Sequence, residues 1–470
     1  MNNSLRALTA AFVIAVASLA GAIYLAHAHV DTASDAYFGK SAPGVAALDL
    51  HALLDATGNP DQRMLDNAFR QVEKAYYRPV NAQILVNGEQ HELVAYLRSH
   101  KIPSPAIPSS IATGDESHDV ALLNKNLDIA ESQYGKQTSN VELTQAAIRG
   151  MLNALGDPYT TYLSPSEINS LEESLRGGQF GGIGVYIVED LQKRVLVEPI
   201  EGTPAYRAGI KTGDRIVAVN GHAVTGLKLD DVERLIRGPI GTVVHLQLLS
   251  SDGKLGRTVP VTRQQIKVPS VYAKMENGFE YVRLAEFGMT SYDEVRQAML
   301  QGKAHHARGY ILDLRNNGGG YLDAAVQISS LFIQQGPIVS TIDRAGSRET
   351  KDSLQTTIGA APLAVLVNKY SASASEITAG AIQDYKVGAL IGTKTFGKGV
   401  VQSIYTLSDG GALKITTARY VTPLGRDIQH RGIAPDIVVN QPIGPQIIDS
   451  PTKDLQLAAA KSYLRRIANR

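Results

Sequence analysis

The spacing of the apolar residues changes twice along this 470-residue chain, and this pattern constrains the fold more than any other feature. The first part is helical, because Leu65, Phe69 and Val72 recur at the spacing of one helix face. From about Gly178 the period becomes two, which is typical of β-strands. Beyond residue 270, apolar runs of strand length alternate with helical segments. Since the length suits about three domains, the pattern predicts a multidomain α+β protein.

Composition excludes several classes of function. The chain has no cysteine, which rules out disulfides, thiolate metal sites and a cysteine nucleophile. Its 46 Lys and Arg residues balance 45 Asp and Glu residues, so no overall field favours nucleic acid and we expect no nucleic-acid partner. His305 and His306 are adjacent on a predicted helix end and would point apart, without an evident carboxylate partner. We therefore expect no metal and no cofactor.

The N-terminus is typical of an export segment. After Arg6, residues 7–26 are almost purely apolar, and Ala26 and Ala28 provide the small-x-small pattern that signal peptidase accepts. The run is also close to the roughly 20 residues that a membrane-spanning helix needs. Residues 1–28 are thus predicted to be either a cleaved signal peptide or a retained membrane anchor. The remaining chain is expected outside the cytoplasm, in the periplasm or cell envelope, either secreted or anchored to the cytoplasmic membrane.

Three short segments contain the residue types of an acyl-transfer site. Residues 370–376 (YSASASE) follow an apolar strand, and residues 395–402 (TFGKGVVQ) place Lys398 between two glycines. Residues 313–320 (DLRNNGGG) end in a triple glycine, whose N–H groups can form a nest for an anion. A serine could attack a carbonyl while a neutral lysine takes its proton and N–H donors hold the oxyanion. Burial would have to lower the lysine pKa from about 10.4 for this role.

Taken alone, the serine cluster also fits a helix cap at Ser373 or Ser375. The three segments in this order and spacing, however, closely resemble the carboxyl-terminal processing peptidases, or tail-specific proteases, over residues 141–440. Residues 155–159 (LGDPY) and 432–436 (GIAPD) also match. The resemblance implies an α/β protease core with a crotonase-like ββα fold. The site residues that it implies are Ser373, rather than Ser371 or Ser375, as nucleophile, Lys398 as general base, Gln402 as the residue that orients the lysine, and the N–H groups of Gly319 and Ala374 as the oxyanion hole.

The period-two segment resembles the PDZ domain of that family, including the glycine-rich run 180–184 and the stretch 213–221. In such domains a loop offers N–H groups to the terminal carboxylate of a peptide that adds to a sheet edge. Here this loop would consist of Gly182, Ile183, Gly184 and Val185. Without the surrounding pattern, the same residues would be read as an ordinary turn between strands.

The resulting hypothesis is an exported serine endopeptidase that recognises protein C-termini and cuts peptide bonds with a Ser/Lys dyad. The alternative is a non-catalytic PDZ-containing scaffold that binds peptides. Residues 81–138 read as an inserted subdomain or a mobile loop, because Asn87-Gly88 and a proline cluster mark turns. They could cover the active site, contact a second copy of the chain or bind an adaptor. The predicted domains are a signal or anchor (1–28), a linker (29–50), an N-terminal helical region (51–177) with the insertion 81–138, a PDZ domain (178–265), a serine protease core (266–440) and a C-terminal helical tail (441–470).

Overall fold

The computed structural model of the chain forms two compact units. The described residues of the first unit lie within Met1–Leu171, Ala273–Phe287 and Val295–Arg470, and those of the second within Glu172–Tyr272 and Gly288–Glu294. No helix in the described part of the chain is both long and apolar enough to cross a bilayer. The predicted signal or anchor and the linker lie outside the described residues, apart from a two-residue strand, β1 (Ile23–Tyr24). The structure describes residues 23–24, 59–175, 179–189, 193–200, 202–227, 229–250, 253, 256–267, 270–440 and 454–468.

Helices build the N-terminal part of the first unit around one apolar core. The first helix has Pro60 in its first turn, and the Asn59 side chain caps it by accepting from the N–H of Asp61 at 3.0 Å. The elements of this part are α1 (Pro60–Ala75), α2 (Ala82–Ser99), α3 (Glu116–Tyr134), α4 (Asn140–Ala154), the short strand β2 (Thr161–Leu163) and α5 (Pro165–Leu175), whose last four residues belong to the second unit.

Residues 81–138 form two helices joined by a loop, and Asn87-Gly88 lies inside α2 rather than at a turn. Gly88 faces Gly150 of α4, where a Cβ on Gly88 would lie 2.3 Å from the Gly150 carbonyl oxygen. The glycine therefore permits the two helix backbones to approach closely. The Asn87-Gly88 dipeptide, which is typical of a turn, therefore contributes to helix packing here. Residues 81–138 form a helical subdomain rather than a mobile loop.

The second unit is mainly an antiparallel sheet with the strand order β4-β5-β6-β8-β9, to which β7 adds against β6. Gly184 takes a φ of +75° and separates the first two strands of this unit. A second, two-stranded sheet pairs β3 with β10. The elements are β3 (Gln179–Gly182), β4 (Val185–Glu189), β5 (Val195–Pro199), α6 (Pro204–Arg207), β6 (Arg215–Val219), β7 (His222–Ala223), α7 (Leu229–Ile236), β8 (Val243–Leu249), β9 (Gly256–Thr262) and β10 (Gln264–Lys267).

Two sheets and their helices follow, as the alternating strands and helices predict. One sheet has the order β11-β12-β13-β16-β17-β20, and the other has the order β1-β18-β19-β14-β15, with β2 added to β19. The elements are β11 (Val271–Glu276), β12 (Phe279–Leu284), α8 (Ser291–Ala304), β13 (Tyr310–Asp313), α9 (Leu322–Ser330), β14 (Pro337–Asp343), β15 (Arg348–Asp352), β16 (Leu363–Val367), α10 (Ala374–Asp384), β17 (Ala389–Gly392), β18 (Val400–Thr406), β19 (Ala412–Val421), β20 (Ile437–Val438) and α11 (Leu455–Ala468). The predicted α+β architecture is confirmed.

Strand order explains how the three sequence motifs meet. Strands β13, β16 and β17 are neighbours and run parallel, with Asp313 opposite Leu366 and Val367 opposite Gly392. The glycine-rich motif follows β13, the serine motif follows β16 and the lysine motif follows β17. All three therefore leave the sheet at the carboxyl ends of its strands, the edge where α/β folds place their ligands.

Arg315 joins the C-terminal helix to the strand that precedes the glycine nest. Its buried guanidinium donates to Asp313 and, through both terminal nitrogens, to Asp454 at 2.8 and 2.9 Å. Burial acts to lower the pKa of Arg315, but the two carboxylates outweigh it and raise the pKa. Asp454 also accepts from the N–H of Leu457 at 2.9 Å. This hydrogen bond lies at the start of the last helix, which begins at Leu455.

Candidate active site

Ser373 lies at the turn between β16 and the first residue of α10. Its backbone has a φ of +57° and a ψ of −115°, a conformation that residues other than glycine rarely adopt. Strain of this kind persists only when the surroundings fix it, and it is concentrated at functional sites. Two contacts fix it here: the Ser373 N–H donates to Glu376 Oε2 at 3.0 Å, and the Ser373 carbonyl accepts from the Tyr420 hydroxyl at 3.2 Å.

The two serines on either side of Ser373 have structural roles. The hydroxyl of Ser371 donates to the carbonyl of Leu314 at 2.8 Å, and that of Ser375 donates to the carbonyl of Asn317 at 2.9 Å. Both hydroxyls thus fasten the serine loop to the glycine-rich segment. Sequence alone left Ser375 open as a helix cap, but Ser373 occupies the N-cap position of α10.

Gly319 is adjacent to Ser373 in space. A Cβ on Gly319 would lie 2.8 Å from the Cβ of Ser373 and 3.0 Å from the nitrogen of Ala374, so no larger residue fits. Gly319 has a φ of +111°, which also favours glycine. Its N–H donates to Asn317 Oδ1 at 2.9 Å, so this predicted oxyanion donor is engaged within the chain. Ala374 stands in the first turn of α10, where helix N–H groups lack helical acceptors.

Asn317 organises this part of the site and was not singled out from the sequence. Its side chain donates to the Leu284 carbonyl at 2.8 Å while its Oδ1 receives the N–H of Gly319. Its own carbonyl accepts from the N–H of Ala372 at 3.0 Å as well as from Ser375. One buried asparagine therefore positions both the nest and the serine loop.

Lys398 is buried, with 4% of its surface exposed. Burial, and next the positive charge of Lys414, lower the pKa of Lys398 from 10.5 to about 7, while Asp157 and Glu376 act in the opposite direction. Its Nζ lies 4.7 Å from the centre of the Tyr159 ring. A substantial fraction of this lysine is consequently neutral near pH 7, which general-base catalysis requires.

Glu376 and Tyr420 hold the serine and lysine segments together. The carboxylate of Glu376 accepts from the N–H of Lys398 at 2.8 Å, the N–H of Gly397 at 2.7 Å and the hydroxyl of Thr395 at 2.5 Å, in addition to Ser373. Burial raises the pKa of Glu376, but all four partners donate to it and favour its ionised form. The Tyr420 hydroxyl donates to the Lys398 carbonyl at 2.6 Å. These bridges fix the two backbones relative to each other.

Gln402 is fully buried on β18 and lies opposite Thr416 of β19. Its Nε2 donates to the Thr416 hydroxyl at 3.4 Å, whereas its Oε1 is buried without a hydrogen-bond partner among the described residues. A buried acceptor that lacks a donor is costly to a fold. The cost is offset when an amine donates a hydrogen bond to this oxygen. Such a bond would also orient the amine, which is the role predicted for Gln402 toward Lys398.

In the second unit, Ile183 and Gly184 connect β3 to β4, and Gly182 and Val185 are the strand residues on either side. The Ile183 carbonyl accepts from the N–H of Ala205 at 2.8 Å, and the Gly184 carbonyl accepts from that of Ile200 at 3.0 Å. A trans peptide holds its N–H opposite its carbonyl, so the N–H groups of Gly184 and Val185 point the other way. β4 is an edge strand, whose partner among the described residues is β5. An open edge with outward N–H groups is the geometry of peptide addition.

Family models match three parts of the chain. Residues 279–439 match peptidase family S41, residues 195–249 match the PDZ domain, and residues 99–166 match the activating protease CtpB N-terminal domain. The last match overlaps the second half of the segment predicted as an insertion. These matches and the fold define a serine-type peptidase that carries a PDZ domain, a domain that binds peptide C-termini.

Relatives narrow the class further. The carboxyl-terminal-processing protease of Synechocystis is 38% identical over 354 residues, which cover 74% of this chain and 83% of that protein. The carboxy-terminal processing protease CtpA of Bacillus subtilis is 36% identical, with 71% of each chain covered. A solved structure of a photosystem II D1 C-terminal processing protease is 30% identical and covers 83% of this chain and 96% of its own, with a TM-score of 0.48. This chain belongs to the carboxyl-terminal processing protease family.

Proposed function

We propose that the protein is an exported serine endopeptidase that captures the C-terminal tails of protein substrates and hydrolyses peptide bonds with Ser373 and Lys398. The observation that carries the proposal is the connection between these two residues. Lys398 is buried with a pKa of about 7, and Glu376 binds its backbone N–H together with that of Ser373. These main-chain contacts hold the two segments together, and a neutral amine within reach of a serine hydroxyl is the arrangement that such a nucleophile needs.

The chemistry follows from the proposed roles. Lys398 Nζ takes the hydroxyl proton as Ser373 Oγ bonds to the substrate carbonyl carbon, and the N–H groups of Gly319 and Ala374 stabilise the oxyanion. Collapse breaks the C–N bond, and the ammonium of Lys398 gives its proton to the leaving amine. Water then attacks the acyl-enzyme while Lys398 accepts a proton from it. That proton returns to Ser373 Oγ when the acid product leaves.

One rearrangement is required by this scheme. The Gly319 N–H, which donates to Asn317 Oδ1, would have to turn toward the developing oxyanion. The change exchanges one hydrogen bond for a charge-assisted one, which is roughly twice as strong. We therefore propose that the Gly319 N–H becomes available to the oxyanion only when substrate is bound.

Alanine variants test the catalytic proposal. Purified S373A and K398A are expected to lose cleavage of a fluorogenic peptide with an apolar C-terminal tail. Their circular dichroism spectra should match that of the wild type, and their unfolding should remain cooperative. Lys394 is exposed and only four positions from Lys398, so K394A serves as the control and should cleave normally. If either S373A or K398A kept wild-type activity, the dyad would be wrong.

Tail capture is tested on the substrate rather than the protein. The N–H groups of Gly184 and Val185 are proposed to bind the terminal carboxylate, so amidation of the peptide C-terminus should raise KM strongly. Binding without any cleavage by the wild-type chain would instead favour the alternative of a non-catalytic peptide-binding scaffold. Equal KM values for the acid and the amide would contradict C-terminal recognition by this loop.

Export rests on the apolar run at residues 7–26 and the small-x-small pattern that follows it. Intact mass of the protein from cell envelopes distinguishes a chain cleaved near residue 28 from one that keeps its anchor. Recovery of an uncleaved chain from the cytoplasm would contradict this part of the proposal. An adaptor or a second copy of the chain is proposed as a further partner, and the native mass of the assembly tests it.

A further inference from the structure

One sequence motif has no place in the scheme above: the run at residues 155–159, which precedes the second unit in the chain. It lies outside the region 279–439 that matches the peptidase family model. In the structure it leads directly into β2, which pairs antiparallel with β19 so that Thr161 lies opposite Lys414. This pairing brings the residues just before β2 beside Thr416, the partner of Gln402.

A chain of hydrogen bonds runs from this motif to Gln402. The Oδ1 of Asp157 accepts from the N–H of Tyr159 at 3.0 Å, and its Oδ2 accepts from the hydroxyl of Thr160 at 2.8 Å. The Thr160 hydroxyl oxygen accepts from the N–H of Thr416 at 3.0 Å and lies 3.3 Å from the Thr416 hydroxyl. That hydroxyl in turn accepts from Gln402 Nε2.

The orientation of Gln402 depends on this chain. Because its Nε2 is engaged with Thr416, its Oε1 points the other way and is left buried without a partner in the described part of the chain. Thr160, Thr416 and Gln402 are each no more than 2% exposed, so water does not substitute readily for the hydrogen bonds between them. Thr160 and Thr416 lie far apart in sequence, and only folding joins them.

The same motif supplies a surface for the lysine itself. The face of the half-buried Tyr159 ring lies beneath Lys398 Nζ at 4.7 Å, a cation–π distance. The negative face of the ring favours an ammonium over a neutral amine. The ring thus limits how far the other surroundings lower the pKa of Lys398. It also restricts the positions that Nζ can occupy.

We propose that residues 157–160 position the general base: the Tyr159 ring supports Lys398 Nζ, and Thr160, braced by Asp157, holds Gln402 through Thr416 so that Oε1 faces the lysine. This inference rests on the proposed role of Lys398. The N-terminal region is then a part of the catalytic apparatus. None of the four residues takes part in bond making, so they are positioning residues.

Two pairs of variants of the full-length protein test it, with kcat and KM measured on the same peptide. Y159L removes the ring and T160V removes the hydroxyl, whereas Y159F and T160S keep them. Misplacement of a catalytic group by about 1 Å can cost up to 100-fold, so kcat should fall by about 10- to 100-fold in Y159L and T160V. KM should change little, and Y159F and T160S should restore kcat.

The pH profile separates positioning from a loss of folded protein. The charged groups that act on Lys398 are Lys414, Asp157 and Glu376, and none of them is altered by Y159L. Removing the ring withdraws a contact that favours the protonated form, so the acid limb of kcat should move to lower pH. A smaller folded fraction would lower kcat but leave the midpoint of that limb unchanged.

The outcomes are distinct. Wild-type kcat and an unshifted acid limb in both Y159L and T160V, with K398A inactive, would overturn the positioning role and leave the dyad intact. Full activity of K398A would overturn the proposed function itself. If T160V failed to fold because the Thr416 N–H lost its acceptor, the Tyr159 pair would decide, since that ring is only partly buried.

Discussion

The backbone N–H groups of Ser373 and Lys398 donate to the same atom, Oε2 of Glu376, at 3.0 and 2.8 Å. The two residues come from loops that follow neighbouring parallel strands, β16 and β17. Strand order brings the loops together, and the shared acceptor sets the distance between their backbones. The proposed nucleophile and base are therefore fixed by main-chain contacts, independently of their side chains.

Replacing Glu376 with glutamine should loosen this arrangement. The amide carries no charge and presents an NH2 group to one of the N–H donors, so at least one hydrogen bond to a buried group is lost. We expect E376Q to lower the free energy of unfolding by about 2 to 4 kcal/mol, measured by urea denaturation, and to lower kcat. E349Q on the exposed strand β15 is the control and should match wild type. Unchanged stability of E376Q would show that the carboxylate is not needed to join the loops.

Activity should rise with pH through about 7, because Lys398 must be neutral to accept a proton and its pKa is about 7. The positive charge of Lys414 is one cause of the low value, so K414M should raise the pKa of Lys398. The acid limb of kcat then moves to higher pH, measured from a profile between pH 5 and 9. Lys394 is exposed, and K394M should leave the limb in place despite the same loss of charge. A shift of the K414M limb to lower pH would contradict the assignment.

An alanine at position 319 should inactivate the enzyme. Its Cβ would lie 2.8 Å from the Cβ of Ser373, and the backbone φ of +111° disfavours any side chain. We expect kcat to fall by about 100- to 1,000-fold, the cost of losing an oxyanion donor. Gly346 also has a positive φ, but a Cβ there meets nothing within 4 Å, so G346A controls for backbone strain alone. Similar kcat values for G319A and G346A would argue against a role of Gly319 at the reacting carbonyl.

Burial of Lys398 should cost stability. A lysine with a native pKa of about 7 and an ordinary value of 10.5 binds a proton more weakly in the folded chain than in the unfolded one. The penalty is complete below pH 7, shrinks as pH rises and disappears above about 10.5. We expect K398M to raise the free energy of unfolding by up to about 4 to 5 kcal/mol at pH 7, with K394M as the control. A gain that stayed constant up to pH 11 would not come from ionisation.

The sequence was sufficient to predict the fold class, because the change in hydrophobic period is a local property. It also placed an apolar strand ahead of the serine motif, where the structure has Leu363–Val367. Asn87-Gly88 was misleading, since the dipeptide suggested a turn whereas the glycine is used here for close packing of two helices. The close approach of Gly150 is a tertiary contact that no local pattern contains.

For the site, residue types indicated acyl transfer, but the choice of Ser373 over its neighbours required the resemblance to the peptidase family. The structure supplies a physical distinction, because the hydroxyls of Ser371 and Ser375 are bonded to carbonyls of a distant segment. The contact of Thr160 with Thr416 could not be predicted, since it depends on the register between β2 and β19. The hydrogen bond of Gly319 to Asn317 could not be predicted either, because the glycine-rich run at residues 313–320 indicated only that N–H groups could form a nest.

The contact of Arg315 with Asp454 reaches beyond residue 439, where the match to the peptidase family ends. A protein truncated there would leave the buried guanidinium of Arg315 with one carboxylate partner, Asp313, in place of two. Recombinant fragments designed from similarity alone should thus be prone to misfold or aggregate. Truncation there would also remove Ala460 and Leu464, which are buried in the core of the first unit. The shortest stable fragment of this protein is therefore set by the contacts of residues 454–468 rather than by the end of the family match.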